Sequence, residues 1–368
     1  MNKYDIAAYI WPSYTGDEPR TRIFWPEGIG EWQTVRDMKP FYDGHRWPRK
    51  PLWGYQNEAN PDVMEMQIEE AAKHGVNVFI YDWYWYDDRP FLENCLNDGY
   101  LKAKNNDKVK FYIMWANHTA TSIWDKRTAE MNEPIWDGAV NEKQFKYIVD
   151  RTIEKYFSHP SYYKIDGKPV YMIYDLDNLV RGLGGIENTK KMLEYFRNKT
   201  KSAGFKGLEL QLTLRGEDSM NATGIDAKFS GNLADAVNYL EFDSVTHYQY
   251  VHIAPMRMDY SEVLKRVKKE WEYIDKTFKM PYYPHVSVGW DSSPRYNSFR
   301  NDECTLNTPE EVKKGFEMAK TYVDTHKNLK APLITVNSWN EWTESSYLEP
   351  DDLYGYGYLE AIKETFLD

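Results

Sequence analysis

The sequence predicts an α/β fold of the (β/α)8 TIM-barrel type with a long first βα loop. Three observations predict it. Strand-like and helix-like runs alternate along the whole chain, and eight such pairs can be counted. An alternating pattern implies a parallel sheet, and eight units favour closure into a barrel. Neither GxGxxG nor GxxxxGK[ST] occurs to mark a nucleotide-binding open sheet. The 368 residues could hold two or three domains. No linker, repeat or low-complexity tract divides them, so residues 1–368 are expected to form one catalytic domain.

The elements follow in order. YDIAAYIW, from Tyr4, is a buried strand whose end carries Trp11. About fifty residues without helical period then run from Pro12 to Pro61, far longer than an ordinary βα loop. In a barrel this loop lies on the C-terminal face, where it walls one side of a cleft. DVMEMQIEEAAKHG, from Asp62, has the spacing of an amphipathic helix, with Gly75 as its stop. VNVFIYDWYW is the second strand and FLENCLNDGYLKAK its helix; VKFYIMWAN is the third strand and NEKQFKYIVDRTIEKYF its helix. KPVYMIYD precedes a helix that ends at Gly204, and LELQLTL precedes the weaker helix LADAVNYL. SVTHYQY and SEVLKRVKKEWEYIDKTF form the sixth pair, YYPHVSVGWD and TPEEVKKGFEMAKTYVDTH the seventh, APLITVNSWNEW and YGYLEAIKETF the eighth.

Composition narrows the function. A net charge of −11 argues against nucleic acid and anionic membrane surfaces as partners. No apolar run approaches the roughly 18 residues of a membrane span. The N-terminal MNKYDIAAYIWP lacks the apolar segment of a signal peptide. The expected location is therefore cytoplasmic, or periplasmic or secreted where a leader has been removed. Cys95 and Cys304 stand far apart, outside any ligand spacing, and are expected to be buried thiols. The eight histidines form no HExxH or HxxxH, so no metal and no other cofactor is expected. Aromatic residues make up 16% of the chain, many beside Asp, Asn or Glu. Aromatic faces with polar edges suit a sugar, so the expected partner is an oligosaccharide or polysaccharide.

The chemistry concentrates in NSWNEWTESSYLEP, Asn337 to Pro350. Strand alternation places Ile334, Val336 and Ser338 on the helix side, and Thr335, Asn337, Trp339 and Glu341 toward the barrel axis. Glu344 follows three residues after Glu341. Two neighbouring carboxylates repel, which pushes one toward its neutral form and yields a general acid beside a general base. Other strand ends add candidates for substrate binding: Asp82, Trp83 and Tyr84; Trp115, Asn117 and His118; Asp175; His247 and Tyr248; Trp290 and Asp291. For each of these alone, a loop-bracing hydrogen bond explains a polar group as well. DLD at Asp175 to Asp177 has the form of a nucleotide-sugar DxD motif, but in the context of a barrel strand.

NSWNEWTESSYLEPDDLYGYGYLEAI resembles the C-terminal signature of glycoside hydrolase family 99-like, WbsX-type proteins. EWQTVRDMKPFYDGH, QIEEAAKHGVNVFIYDWYW and FYIMWANHTATSIWD resemble successive N-terminal motifs of the same group. The resemblance implies a barrel that acts on glycans without a metal. Family 99 proper contains retaining endo-α-mannosidases with an NEW-x-E motif, which matches Asn340, Glu341, Trp342 and Glu344. It implies that Glu341 assists attack by the sugar's own 2-hydroxyl through a 1,2-anhydro intermediate. Glu344 is then the acid, and afterwards the base. No protein nucleophile is needed, unlike the usual retaining scheme. The chain departs from the pattern at Thr343, where family 99 has histidine, and at IWPSY in the first strand. The expected function is a retaining glycoside hydrolase cleaving an α-linked, mannose-like glycan. The alternative is a glycosyltransferase of lipopolysaccharide or capsule synthesis, a label often given to WbsX-type relatives.

Overall fold

A computed structural model describes residues 3–16, 18–215 and 233–367. Eight parallel strands are present: β1 (Asp5–Ile10), β2 (Val78–Tyr86), β3 (Lys110–Trp115), β4 (Lys168–Ile173), β5 (Glu209–Leu214), β6 (Ser244–His247), β7 (His285–Ser287) and β8 (Leu333–Asn337). They pair in sequential order from β1 to β6, and β8 pairs with both β1 and β7. Between β6 and β7 a single bridge joins Val245 and Tyr282. There the Val245 N–H donates to the Pro281 carbonyl at 3.0 Å, and the Val245 carbonyl accepts from Tyr283 at 2.9 Å. The barrel is thus nearly closed.

β2, VFIYDWYWY, is buried at every position, as a parallel strand covered on both faces requires. The barrel interior is partly polar and internally bonded. Tyr112 Oη donates to Gln211 Oε1 (3.0 Å), Tyr9 Oη to the His247 carbonyl (2.9 Å), and Thr335 Oγ1 lies 2.8 Å from Thr246 Oγ1 and 2.9 Å from His285 Nδ1. These buried polar groups find partners on other strands, mostly across the barrel interior, which offsets the cost of a polar barrel core.

Helices pack around the strands: α1 (Pro61–Lys73), α2 (Glu142–Thr152), α3 (Ile186–Ser202), α4 (Leu233–Leu240), α5 (Tyr260–Thr277), α6 (Pro309–Thr325) and α7 (Gly357–Phe366). In α1, the Asn60 side chain caps Asp62 N, Pro61 opens the helix, and Met64, Gln67, Ile68 and Ala71 form the buried stripe. α2 begins with a reciprocal capping box between Asn141 and Gln144. No helix among the described residues is long and apolar enough to cross a membrane. Both cysteines are buried and free.

Two local expectations are corrected. FLENCLNDGYLKAK is not a regular helix: a π-helical turn, Cys95–Gly99, runs into a 3-10 turn, Tyr100–Lys102. Asn97, Asp98 and Gly99 are weak helix formers. Gly99 also lies so close to the first loop that a Cβ there would fall 2.0 Å from the Glu58 carbonyl oxygen. Gly99→Ala is therefore expected to displace Glu58 and lower the thermal midpoint, at a cost of about 1–3 kcal/mol. The second correction concerns Trp339. β8 ends at Asn337, so strand alternation does not extend past it. Trp339 turns outward, packs 5.2 Å from Phe79, and donates its Nε1–H to Gln67 of α1 at 3.0 Å.

The first loop, residues 11–60, carries the 3-10 turn Pro19–Ile23 and the short helix Trp32–Arg36. It folds back over the C-terminal ends of the strands, so that Trp25, Glu31 and Glu58 are buried.

Candidate active site

A cavity of about 250 Å³ opens at the C-terminal ends of the strands. Its polar floor is Asp82, Tyr248, Glu341, Glu344 and Arg295, and Trp11, Tyr84, Trp124 and Tyr174 stand around it as walls. Parity on β2 explains part of this: Asp82 and Tyr84 point inward, while Trp83 points out.

The segment after β8 is held rigidly. The Glu341 N–H donates to Ser338 Oγ at 2.7 Å, and a 3-10 turn, Trp342–Glu344, then carries Glu344 round to the same cavity. Asn340 is the anchor. Its Oδ1 accepts from the Trp11 N–H (2.8 Å), and its Nδ2 donates to the Trp11 carbonyl (3.0 Å) and to the Glu58 carboxyl (3.0 and 3.1 Å). Trp342 stacks on Tyr347 with ring centroids 3.7 Å apart and donates Nε1–H to Glu349 Oε2 at 2.6 Å. Asn340 and Trp342 thus tie strand ends together behind the cavity and do not line it.

Glu58 and Glu349 are bridged by the Gln67 amide, whose Nε2 donates to both (3.1 and 2.9 Å). Burial raises the Glu58 pKa to about 7, and burial together with Glu58 pushes Glu349 well above the usual carboxylate range. A folded-state pKa above the unfolded value means that the folded state binds the proton more tightly. The stability from Glu58 is thus fully present below about pH 4.5 and is lost as pH rises through about 7. Glu58→Gln is expected to flatten the fall of the thermal midpoint across that window, measured against the parent protein.

Arg295 was not legible as a site residue. It sits in the 3-10 turn Ser293–Arg295 after β7. Its Nη2 donates to Glu341 Oε1 and its Nη1 to Glu344 Oε1, both at 2.6 Å, while Nε donates to Thr343 Oγ1 at 2.9 Å. Thr343 Oγ1 in turn donates to Glu31 Oε1 at 3.0 Å. Glu31 also accepts from the Trp11 indole N–H. One guanidinium therefore brackets the two carboxyls, with Glu31 behind it. Burial raises the pKa of both Glu341 and Glu344, that of Glu341 well above the usual carboxylate range; Glu344 adds to the rise at Glu341, and Arg295 opposes it at both. Burial works against the Arg295 charge, but Glu344, Glu31 and Glu341 outweigh it and keep that pKa well above its usual value. Two buried carboxyl oxygens, Glu344 Oε2 and Asp82 Oδ1, have no hydrogen-bond partner among the described residues, and both belong to side chains that line the cavity.

His118 lines the cavity as well. Burial lowers its pKa to about 4, so it is neutral at pH 7. Its Nδ1 lies 3.0 Å from the Thr119 carbonyl, which fixes the proton there and leaves Nε2 as an acceptor.

The remaining candidates lie outside the cavity lining. Trp83 donates to Glu93 (2.7 Å), and Trp115 packs toward Phe145 of α2. Asn117 clamps the Asp175 backbone through both side-chain atoms (2.7 and 2.8 Å). Asp175 caps Asn178 N and pairs with Arg215 at 2.8 Å. His247 is bonded to Tyr282 Oη (2.9 Å), and Trp290 to Asp302 (2.9 Å). Asp291 accepts from Ser293 N (2.9 Å) and from His45 (2.8 Å). The seven candidates brought together are Trp11, Asp82, Tyr84, His118, Tyr248, Glu341 and Glu344.

Among the described residues, His45, Asp291 and Glu303 have metal-ligand spacing. The tautomer argues for a different role. The Phe41 N–H donates to His45 Nδ1 at 3.3 Å, so the ring hydrogen is on Nε2, facing Asp291. A ligating imidazole needs the reverse arrangement, with its outer nitrogen donating. The group works as a clamp between the first and seventh loops.

A family model described as "Glycosyltransferase WbsX" matches residues 6–362. The chain is 25% identical over 368 residues to "Uncharacterized protein WxcX" of Xanthomonas campestris pv. campestris, covering 98% of this chain and 49% of that protein. It thus spans about half the length of the curated relatives it matches. Its fold is similar to that of a GH99 endo-alpha-mannosidase from Bacteroides thetaiotaomicron, with TM-score 0.60, 14% identity, and coverage of 98% of this chain and 95% of that one. It is also similar to a "Glycoside hydrolase-like protein", with TM-score 0.62, 16% identity, and coverage of 100% and 94%.

Proposed function

This chain belongs to the WbsX family, and on that premise we propose that it is a metal-independent, retaining glycoside hydrolase acting on an α-linked, mannose-like glycan, with residues 1–368 as one catalytic domain. The observation that carries the reading is the bracketing of Glu341 and Glu344 by one guanidinium at the mouth of an aromatic-walled cavity. Three carboxyls, Glu31, Glu341 and Glu344, gather around one arginine, and Asp82 lines the same cavity without a cation of its own among the described residues. Full ionisation of these carboxyls together is electrostatically unfavourable in a buried site, so a proton is retained.

In this reading the buried pair shares one proton, and the reactive form is the one in which Glu341 is ionised and Glu344 carries it. The Glu344 proton sits on Oε2, the oxygen without a hydrogen-bond partner among the described residues, and faces the scissile glycosidic oxygen. Glu341 takes the proton of the sugar 2-hydroxyl as that oxygen attacks the anomeric carbon. Glu344 donates to the departing oxygen as the glycosidic bond breaks, leaving a 1,2-anhydro sugar. Glu344 then takes a proton from the water that opens the anhydro ring at the anomeric carbon, and Glu341 returns its proton to O2. Two displacements retain configuration. Trp11, Tyr84 and Trp124 offer faces for sugar rings, and His118 Nε2 accepts from a hydroxyl. The endo-alpha-mannosidase among the proteins of similar fold supports the mannose-like substrate.

The glycosyltransferase description of the WbsX family favours a second reading, transfer from a nucleotide sugar. A nucleoside diphosphate needs a phosphate cradle. Here a diphosphate would meet Asp82, Glu341 and Glu344, while Arg295 and Arg215 already hold carboxylates. The two readings separate on incubation with defined mannan, N-glycan and pectin oligosaccharides. A hydrolase releases reducing ends in the presence of a chelator and without nucleotide. Transfer dependent on a nucleotide sugar, without hydrolysis, would overturn the proposal.

A further inference from the structure

We propose that Asp82 is a neutral, protonated carboxyl that acts through Tyr248 to keep Glu341 ionised, while its second oxygen accepts a hydrogen bond from a substrate hydroxyl. The inference rests on Glu341 as the base, and it gives Asp82 a defined protonation state and a defined direction of donation.

The hydrogen count comes first. Tyr248 Oη lies 2.9 Å from Asp82 Oδ2 and 3.4 Å from Glu341 Oε2. A phenol has one hydrogen and can donate to one of these acceptors. The other contact is attractive only if a carboxyl supplies a second hydrogen. Arg295 decides which carboxyl does so. Its Nη2 lies 2.6 Å from Glu341 Oε1, which favours ionised Glu341. Among the described residues no Lys or Arg pairs with Asp82, whose exposure is 2%. A buried carboxylate without a cation is expensive. The hydrogens therefore run one way, from Asp82 Oδ2–H to Tyr248 Oη, and from Tyr248 Oη–H to Glu341 Oε2.

The surroundings agree. Tyr9 and Tyr174 hold the Tyr248 ring edge-on, with centroids 4.8 and 5.2 Å away. Tyr84, Glu341 and Glu344 are the other titratable groups facing this corner, with Arg295 beyond them. Burial pushes the Asp82 pKa well above the carboxylate range; the Tyr248 hydrogen bond opposes the rise only where the phenol donates to Asp82, and Glu344 adds to it. Burial likewise keeps the Tyr248 phenol protonated. Asp82 Oδ1, buried and without a hydrogen-bond partner among the described residues, is the acceptor that Asp82 offers at the cavity.

The test is Asp82→Asn, which retains a donor toward Tyr248 and an oxygen toward the cavity. Asp82→Ala is expected to lose at least about tenfold in turnover, and Asp82→Asn to lose less than Asp82→Ala. Tyr248→Phe removes the donor to Glu341 and is expected to move the acid limb of the kcat profile to higher pH. An infrared difference spectrum of parent minus Asp82→Asn at neutral pH needs no turnover. It is expected to show the C=O stretch of a protonated carboxyl. A folded Asp82→Asn protein that loses as much turnover as Asp82→Ala, or a difference spectrum without that band, would overturn the inference. The spectrum decides it even for a protein that cleaves no glycan tried.

Discussion

Glu344→Gln is expected to cut turnover on a native glycan by at least about a hundredfold, the usual scale for a lost general acid. The amide keeps the volume and can still face Arg295, so folding and substrate affinity should change little. What is lost is the proton proposed on Oε2, the atom without a hydrogen-bond partner among the described residues. The same substitution at Glu341 removes the base and is expected to cost a similar factor, since each displacement needs both groups. Steady-state kinetics on one defined oligosaccharide, with circular dichroism to verify folding, checks both. Near-normal turnover in either variant would contradict the assignment.

Arg295→Ala is expected to have the second large effect, and on two quantities. Arg295 is buried and donates to Glu341, Glu344 and Thr343. Removing one partner of a buried ionic network leaves its charges uncompensated, at a cost of about 3–5 kcal/mol. Without the guanidinium, burial raises Glu341 and Glu344 unopposed. Glu341 would then stay protonated to higher pH, so the acid limb of the kcat profile should shift upward. Arg295→Lys keeps the charge but loses the planar fork that spans both carboxyls. It should recover stability more than activity. Thermal midpoints and pH–rate profiles of the two variants separate the roles of charge and geometry.

The barrel was legible because the eight-fold alternation of strand and helix is a local signal, repeated along the chain. Glu341 and Glu344 were legible because a strand end followed by a short turn delivers both to one mouth. Sequence reasoning fails where local pattern yields to packing. At Trp339 strand alternation runs past the last strand residue, and the side chain turns out to α1 instead. The second helix gives way to tight turns because Gly99 must pass the Glu58 carbonyl. Arg295, Glu31 and Glu58 escape detection for a different reason. Each lies in a long loop with no periodicity, and each gains its meaning from a partner hundreds of residues away or on another strand end, such as Glu31 from Thr343. Composition could have raised the question: buried carboxyls gathered at one mouth need a cation, and a loop after another strand is the place to look for it. Asn340 and Trp342 show the converse. They belong to the signature that points to the site, yet in the fold they anchor it through Glu58 and Glu349.

The division of labour between the two glutamates can be measured most directly by comparing two substrates of the same sugar. One is the native glycan, and the other is an aryl glycoside whose leaving group departs without protonation. Glu344→Gln should recover most of its lost rate on the aryl substrate, whereas Glu341→Gln should remain equally impaired on both. Equal recovery by the two variants, or impairment of neither, would contradict the claim that one arginine holds an acid and a base side by side.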